Sequence, residues 1–316
     1  MAKIIFIFII SVFAFAKNSG YELSLGFADV KSHEFVWEKT GTSLNKLSEL
    51  EWSIEEIPFA SIKAYDTYFN LFILESNLYT HIKKTDGYMI DDDWLDGIDD
   101  KGVIIDPNRN PNLHTHRSEH DNTIIKQFYG VDLAIRSIPI KVFNTNISAG
   151  VGYRYDTLKF SASDGWYKYK CKNGYPNGCL DNGFFSGKVI DYKQEFYALY
   201  FGLYLSWYDL FINNLDLKFN LKYSNFASAT DYDHHILRST VFETDSEDIE
   251  FYNIESAITY NITSLFGLYL GVDYTKYKQK LSNVYINEKG KRSMSIDSSS
   301  FDNETIKAFC GVVIRF

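Results

Sequence analysis

The chain has 316 residues, a formal net charge of -9 and 17% aromatic residues, including 24 Tyr and 25 Phe. Beyond the N-terminus no stretch approaches the ~18 consecutive apolar residues that a membrane-spanning helix needs. A hydrophobic share of 45% excludes disorder, and the acidic balance argues against nucleic acid, whose phosphates demand a basic face. What remains is a large β protein, and a pool of Tyr and Phe this size suits a barrel girdled by aromatics at two membrane interfaces.

Met1 to Lys3 is a short basic start, Ile4 to Phe13 is apolar apart from Ser11, and Ala14-Phe15-Ala16 has the small-x-small pattern of a cleavage site. Residues 1–16 are therefore expected to be a secretory signal peptide. Residues 17–316 carry no linker or low-complexity tract and are expected to form one domain. Export permits disulfides, and Cys171 and Cys179 flank a segment dense in turn formers, so they are expected to pair across a loop tip. Cys310 is left over on a strand.

Along the chain the dominant period is two. Tyr129, Val131, Leu133 and Ile135 alternate with Gly130, Asp132, Ala134 and Arg136. Leu199, Phe201, Leu203, Leu205 and Trp207 alternate with Ala198, Tyr200, Gly202, Tyr204 and Ser206. Leu217, Phe219, Leu221 and Tyr223 alternate with Lys218, Asn220, Lys222 and Ser224. A second face mixing Gly, Tyr and charge fits the crowded lumen of a small barrel better than the open face of a sandwich. The last row, Ile306, Ala308, Cys310, Val312, Ile314 and Phe316, resembles the terminal strand of bacterial outer-membrane barrels.

Counting the runs predicts an all-β, ten-stranded antiparallel transmembrane barrel of the outer membrane. Its strands lie near 21–38, 47–66, 68–84, 121–138, 144–162, 191–208, 214–230, 245–261, 265–282 and 303–316. The stretches 85–120, 163–190 and 283–302 are long and polar, as extracellular loops should be, whereas Trp207 to Leu215 and Asn261 to Leu265 are short periplasmic turns. Pro58 is awkward inside the second strand and implies a bulge or a misplaced boundary.

Two polar segments exceed what solvation requires. The first is Ile90-Asp91-Asp92-Asp93-Trp94-Leu95-Asp96. On an extended backbone Asp91 and Asp93 share a face while Asp92 points away, and crowded carboxylates raise each other's pKa, a device for holding a proton or polarising water. The plainer alternative is a solvated acidic loop or a calcium site. The second segment runs from Ala227 to His235, with Asp231, Asp233 and His235 at i, i+2 and i+4. An Asp beside a His orients the imidazole and stabilises its cation, which makes a general base; the alternative is a polar hairpin tip with incidental histidines. The odd residues of the preceding strand face lipid, so a bulge near Asn225 to Ser228 must switch the parity, or these residues lie above the rim. His114, His116, Glu119 and His120 lack a regular spacing and a matched fourth ligand, so no metal site is assigned.

The sequence resembles the omptin family, ten-stranded outer-membrane endoproteases. The resemblance rests on the acidic segment 90–96 and Asp231-x-Asp233-x-His235, together with Ser24-Leu25-Gly26 followed by Glu34. Further matches are Ser118-x-His120-x-x-Thr123, Tyr192-Lys193-Gln194 with Phe196, and Lys218-Phe219 leading to Tyr223-Ser224. These pieces are collinear and span nearly the whole mature chain.

The resemblance implies that His235 is the general base, oriented by Asp233, and that Asp91 and Asp93 hold and polarise a water nucleophile. Glu34 and Asp231 match acidic positions that select a basic side chain at the cut, through the planar fork of a guanidinium or through a lysine. The implied partners are cationic peptides or proteins and outer-membrane lipid, with the site facing outward and the barrel monomeric. No metal or organic cofactor is expected. His116 stands where many omptins carry an acid for the residue after the cut, which relaxes any dibasic preference. Thr157 and Glu195 stand where relatives place basic residues for lipopolysaccharide, so an activating role for that lipid stays open on an altered site. A Ser118 nucleophile lacks a surrounding triad and ranks lower. The rival from another class is a non-enzymatic barrel, an adhesin-like surface protein or a narrow pore.

Overall fold

The computed structural model describes residues 19–94, 116–170, 180–278 and 280–316. The expected leader, the stretch 95–115 and the segment 171–179 with Cys171 and Cys179 lie outside the described residues, and so does the disulfide expected between them.

Alternating apolar and polar residues build strands that bury one face and turn the other outward. In order these are β1 (Ser19–Thr40), β2 (Ser43–Tyr68), β3 (Phe72–His81), β4 (Thr85–Asp93) and β5 (His116–Ser137). There follow β6 (Ile140–Val142), β7 (Thr145–Ser163), β8 (Trp166–Lys170), β9 (Leu180–Phe184) and β10 (Lys188–Trp207). The last five are β11 (Leu215–His235), β12 (Thr240–Asn261), β13 (Phe266–Tyr277), β14 (Ser282–Glu288) and β15 (Lys291–Arg315).

Ten staves make the wall. The segments β3 and β4 succeed one another between β2 and β5, and β13 and β14 do the same between β12 and β15. Each stave pairs antiparallel with the next, and β15 pairs with β1 from Gly20↔Arg315 to Val36↔Ser299, which closes the ring and leaves no edge. The β8–β9 hairpin adds to the upper part of β5, and β6 is a short addition to β7. Ser19, Phe316 and the turns after Tyr68, Trp207 and Asn261 sit at one end, where Phe316 N donates to Ser19 O at 2.9 Å. These are the expected short periplasmic connections.

The outer rows are the predicted ones. Leu25, Phe27, Leu199, Phe201, Leu268, Leu270 and Ile306 are exposed, while Ala198, Tyr200, Tyr269 and Asp273 between them are buried. Inside the membrane band the lumen is closed by paired charges. Lys63 lies 2.7 Å from Glu255, Arg154 2.7 Å from Asp156, Lys222 2.6 Å from Asp132 and Lys307 2.9 Å from Asp273. Above them an apolar layer fills the upper barrel. Trp52 stacks on Phe160 at 5.4 Å and on Tyr192 at 5.5 Å, and Phe196 stacks on Tyr277 at 4.2 Å. This layer is the floor of the extracellular mouth.

Three sequence expectations change or sharpen. The stretch 283–302, expected as a loop, is strand: β14 and β15 run through it and turn at Lys289-Gly290, both with positive φ (49° and 81°). Likewise Thr85–Asp93 is strand, β5 begins at His116 and β11 reaches His235. Above the lipid band these strands carry few outward apolar residues, so the lipid-facing alternation fades, and ladder hydrogen bonds to neighbours extend them instead.

Pro58 does sit beside a bulge. Glu56 has a φ of 56°, the β1–β2 register shifts between Ala28 and Val30, and Glu56 N donates to Asp29 Oδ1 at 2.8 Å. The β2 pairings with β3 and β4 stop at Phe59 and Ser53 respectively, so the missing Pro58 N–H falls in the gap between those two partners.

The parity switch in β11 is real as well. Its register against β12 shifts between Ser224 and Ala227 and again before Ala229. Below it the odd residues Leu221 and Tyr223 are exposed; above it Ala227, Ala229, Asp231, Asp233 and His235 are buried.

Candidate active site

One wall of the mouth is built by β1, β2, β4 and β5. Glu34 pairs with Leu50 in register, Leu50 with Asp91, and Asp91 with Ser118, so a lateral row runs across four adjacent strands. Within β4, Asp91 turns inward and is buried, while Asp92 faces the other way and accepts two hydrogen bonds from Arg117, at 2.9 and 3.0 Å. Such a bidentate clamp pins the strand's rotation. Asp93, like Asp91 on the cleft side, accepts a hydrogen bond from Ser48.

The opposite wall is β10, β11 and β12. Asp233 lies opposite Tyr192, and Asp231 opposite Gln194. Asp233 Oδ2 accepts from His235 Nε2 at 2.5 Å, which leaves Nδ1 as the imidazole nitrogen directed elsewhere. That nitrogen meets the guanidinium of Arg238, from the turn joining β11 to β12. Asp231 is held by Thr244 N at 3.0 Å and by the Tyr192 hydroxyl at 3.2 Å. Gln194 Nε2 in turn donates to that hydroxyl at 2.8 Å.

The two walls meet. Asp91 is close enough to Asp233, and Asp93 to His235, for each pair to interact electrostatically. All these groups lie on the extracellular side of the lipid band, several residues beyond the outward apolar rows that end near Phe27 and Phe226. Burial, reinforced by Asp93, pushes the Asp91 carboxyl well above the usual carboxylate range. Burial also raises Asp93, against the opposing hydrogen bond from Ser48 and the nearby charges of Arg238, His116 and His235. Glu34 is raised well above its ordinary value by burial and then by Asp231, Asp233 and Asp91. Asp231 is pushed up to about 8 by burial and by Asp233. Among the described residues, Glu34 Oε2, Asp91 Oδ1 and Asp233 Oδ1 are buried without a protein partner. Buried polar oxygens left unmatched mark a surface built to meet something else.

Every expected site residue in the described segments, Asp91, Asp93, Asp233, His235, Glu34 and Asp231, therefore lines one cleft. Tyr192, Gln194, Ser48, Tyr169 and Arg238 also belong to it. Tyr192 and Gln194 stood among the family-like segments and Arg238 follows His235 by three residues, whereas nothing local marked Ser48 or Tyr169.

Ser118 is buried but faces His120, not His235: its hydroxyl lies 3.0 Å from His120 Nε2. His120 Nδ1 bonds the Asp164 carbonyl, so both ring nitrogens are engaged. Gly165 permits that approach, because at its φ of 107° a Cβ would lie 2.6 Å from His120 Nδ1. On the outer wall Glu195 accepts from Tyr155 at 2.6 Å and pairs with Lys193 at 2.7 Å, while Thr157 is buried.

The family model for the Omptin family matches residues 16–316. The plasminogen activator of Yersinia pestis is 26% identical over 301 residues, covering 93% of this chain and 88% of that protein. Outer membrane protease OmpP of Escherichia coli K12 is 27% identical over 254 residues, covering 79% and 74%. The crystal structure of outer membrane protease OmpT from Escherichia coli superposes with a TM-score of 0.83 at 21% identity, covering 95% of this chain and 97% of that one. With the ring of ten staves, the outward cleft and a family match over nearly its whole length, this chain belongs to the omptin family of outer-membrane proteases.

Proposed function

We propose that the protein is an endopeptidase that cuts peptides and surface proteins next to Arg or Lys, with water as the nucleophile. The observation that carries this reading is the convergence of the Asp233–His235 pair with Asp91 and Asp93 across the barrel mouth. Asp233 holds His235 through Nε2, so Nδ1 takes the proton as water adds to the scissile carbonyl carbon. The imidazolium that forms is stabilised by Asp233. The Asp91–Asp93 pair, raised by burial, keeps a proton that hydrogen-bonds the water and the developing oxyanion. Collapse of the tetrahedral intermediate breaks the C–N bond as the imidazolium returns its proton to the leaving amine. No side chain is acylated, and the chemistry calls for no metal or organic cofactor.

Glu34 and Asp231 form the pocket for the basic side chain. Two buried carboxyls crowded together gain most from a cation that pairs with both. Monomeric barrels suffice, because the whole site lies within one ring. At Thr157 and Glu195 the outer wall offers no cation, so an activating lipid phosphate would have to bind through other residues.

The test uses protein refolded in detergent and a fluorogenic peptide containing Arg. Cleavage should survive EDTA and serine-directed acylating reagents and be lost in His235→Ala and Asp91→Ala. Undiminished turnover in both variants would remove these residues from the reaction, and no cleavage by the wild type would return the barrel to the non-enzymatic class.

A further inference from the structure

The catalytic row has two ends of opposite character. At one end Glu34 and Asp231 are buried against Tyr192 and each other's charge. At the other, Asp93 faces His116 and Arg238, and the Tyr169 hydroxyl lies within electrostatic reach of Asp91, Asp93 and Arg238. The His116 and Tyr169 rings pack at 5.0 Å. A peptide laid across the reacting centre with its basic side chain between Glu34 and Asp231 therefore presents the residue on the other side of the scissile bond to a cationic, aromatic wall.

Arg238 is the strongest element of that wall. It sits on the four-residue turn Ile236 to Ser239, held by Ile236 N to Val189 O at 2.9 Å and by Thr240 Oγ1 to the Arg238 carbonyl at 3.3 Å. Its residue is exposed, yet its guanidinium reaches inward to His235 Nδ1. A guanidinium has donors only and stays charged. In this contact Nδ1 must therefore offer its lone pair to Arg238, the same lone pair that a water proton requires.

We propose that Arg238 determines specificity on the side of the scissile bond opposite the acidic pocket: an acidic side chain there draws the guanidinium off His235 and frees the base, whereas a basic one is repelled and leaves the base capped. This rests on the reading of Glu34 and Asp231 as the pocket for the basic residue. The substrate class it names is a basic residue followed by an acidic or neutral one, rather than a dibasic pair. The discrimination combines an attraction for one class with repulsion of the other, which is how charged subsites separate substrates.

The experiment measures kcat/KM on three peptides identical except after the central Arg: Arg-Glu, Arg-Ala and Arg-Arg. The wild type should prefer Arg-Glu to Arg-Arg by about tenfold or more, as one charge pair at a partly desolvated site allows. Arg238→Ala should bring that ratio towards one, lowering Arg-Glu while raising kcat on Arg-Ala through the uncapped base. Arg238→Lys should keep the order, and Arg238→Glu should invert it. An unchanged ratio in Arg238→Ala, or a wild type that prefers Arg-Arg, overturns the assignment. Cleavage of none of the three by the wild type instead removes the basic pocket itself. Retained β-rich circular dichroism in every variant separates these outcomes from misfolding, because the substituted turn is exposed.

Discussion

Two layers of this barrel bury carboxylates, and they treat them in opposite ways. In the membrane band three buried acids have a cation: Asp132 meets Lys222 at 2.6 Å, Asp273 meets Lys307 at 2.9 Å and Asp156 meets Arg154 at 2.7 Å. In the mouth, above the Trp52–Tyr192–Phe160 layer, Glu34, Asp91, Asp231 and Asp233 crowd one another, with oxygens left unmatched on three of them. Pairing a buried charge serves the fold, since an unpaired one is costly. Leaving like charges together costs stability and stores an affinity for protons, water and cations.

The contrast can be broken by removing one acid from each layer. Asp91→Asn should lower kcat/KM for an Arg peptide by about a thousandfold, the scale of lost acid–base and electrostatic catalysis. Its urea midpoint should hold or rise, because a repulsion is relieved; a large fall in stability would show that Asp91 is structural. Asp132→Ala should do the reverse. It strands Lys222 beside the Tyr200 ring (5.2 Å) and should cost about 3–5 kcal/mol in unfolding, with turnover per folded molecule retained. Equal activity losses in the two variants would erase the distinction between the layers.

Asp231→Asn sharpens the account of the pocket. An Arg peptide should lose about 10- to 100-fold in kcat/KM, the worth of one charge-assisted pair, while a peptide with a neutral residue there loses little. Equal losses would remove Asp231 from recognition.

The smallest expected effect is on pH. A carboxyl raised in the fold holds a proton that the unfolded chain releases, so stability falls as pH climbs above the unfolded value and levels off beyond the folded one. For Asp231 that window runs from 3.8 to about 8. Thermal midpoints of the free protein should decline across it, and Asp231→Asn should flatten the decline. A midpoint that rises from pH 4 to 8 would contradict the burial of these acids.

Much of this was legible in the residues because a closed barrel obeys a two-residue rule. Rows such as Leu199, Phe201 and Leu203 against Ala198, Tyr200 and Gly202 announce lipid on one side and lumen on the other. The same rule placed Asp91 with Asp93 and turned Asp92 away. It also required a bulge before Asp231, where the register does shift. It failed where outward apolar residues are few. In Lys291 to Ser300 only Met294 and Ile296 alternate with polar neighbours, too short a run to announce a strand, yet β14 and β1 extend it as strand.

The order of residues by itself determined the β class and which side chains of each segment share a face, because alternation is a local property of an extended backbone. Only the folded ring decided that Glu34 stands near Asp231, that Tyr192 bonds that acid, and that Arg238 caps the imidazole. Those neighbours lie between 3 and 197 positions apart along the chain. Register and closure bring them together, so no local pattern could have marked them in advance.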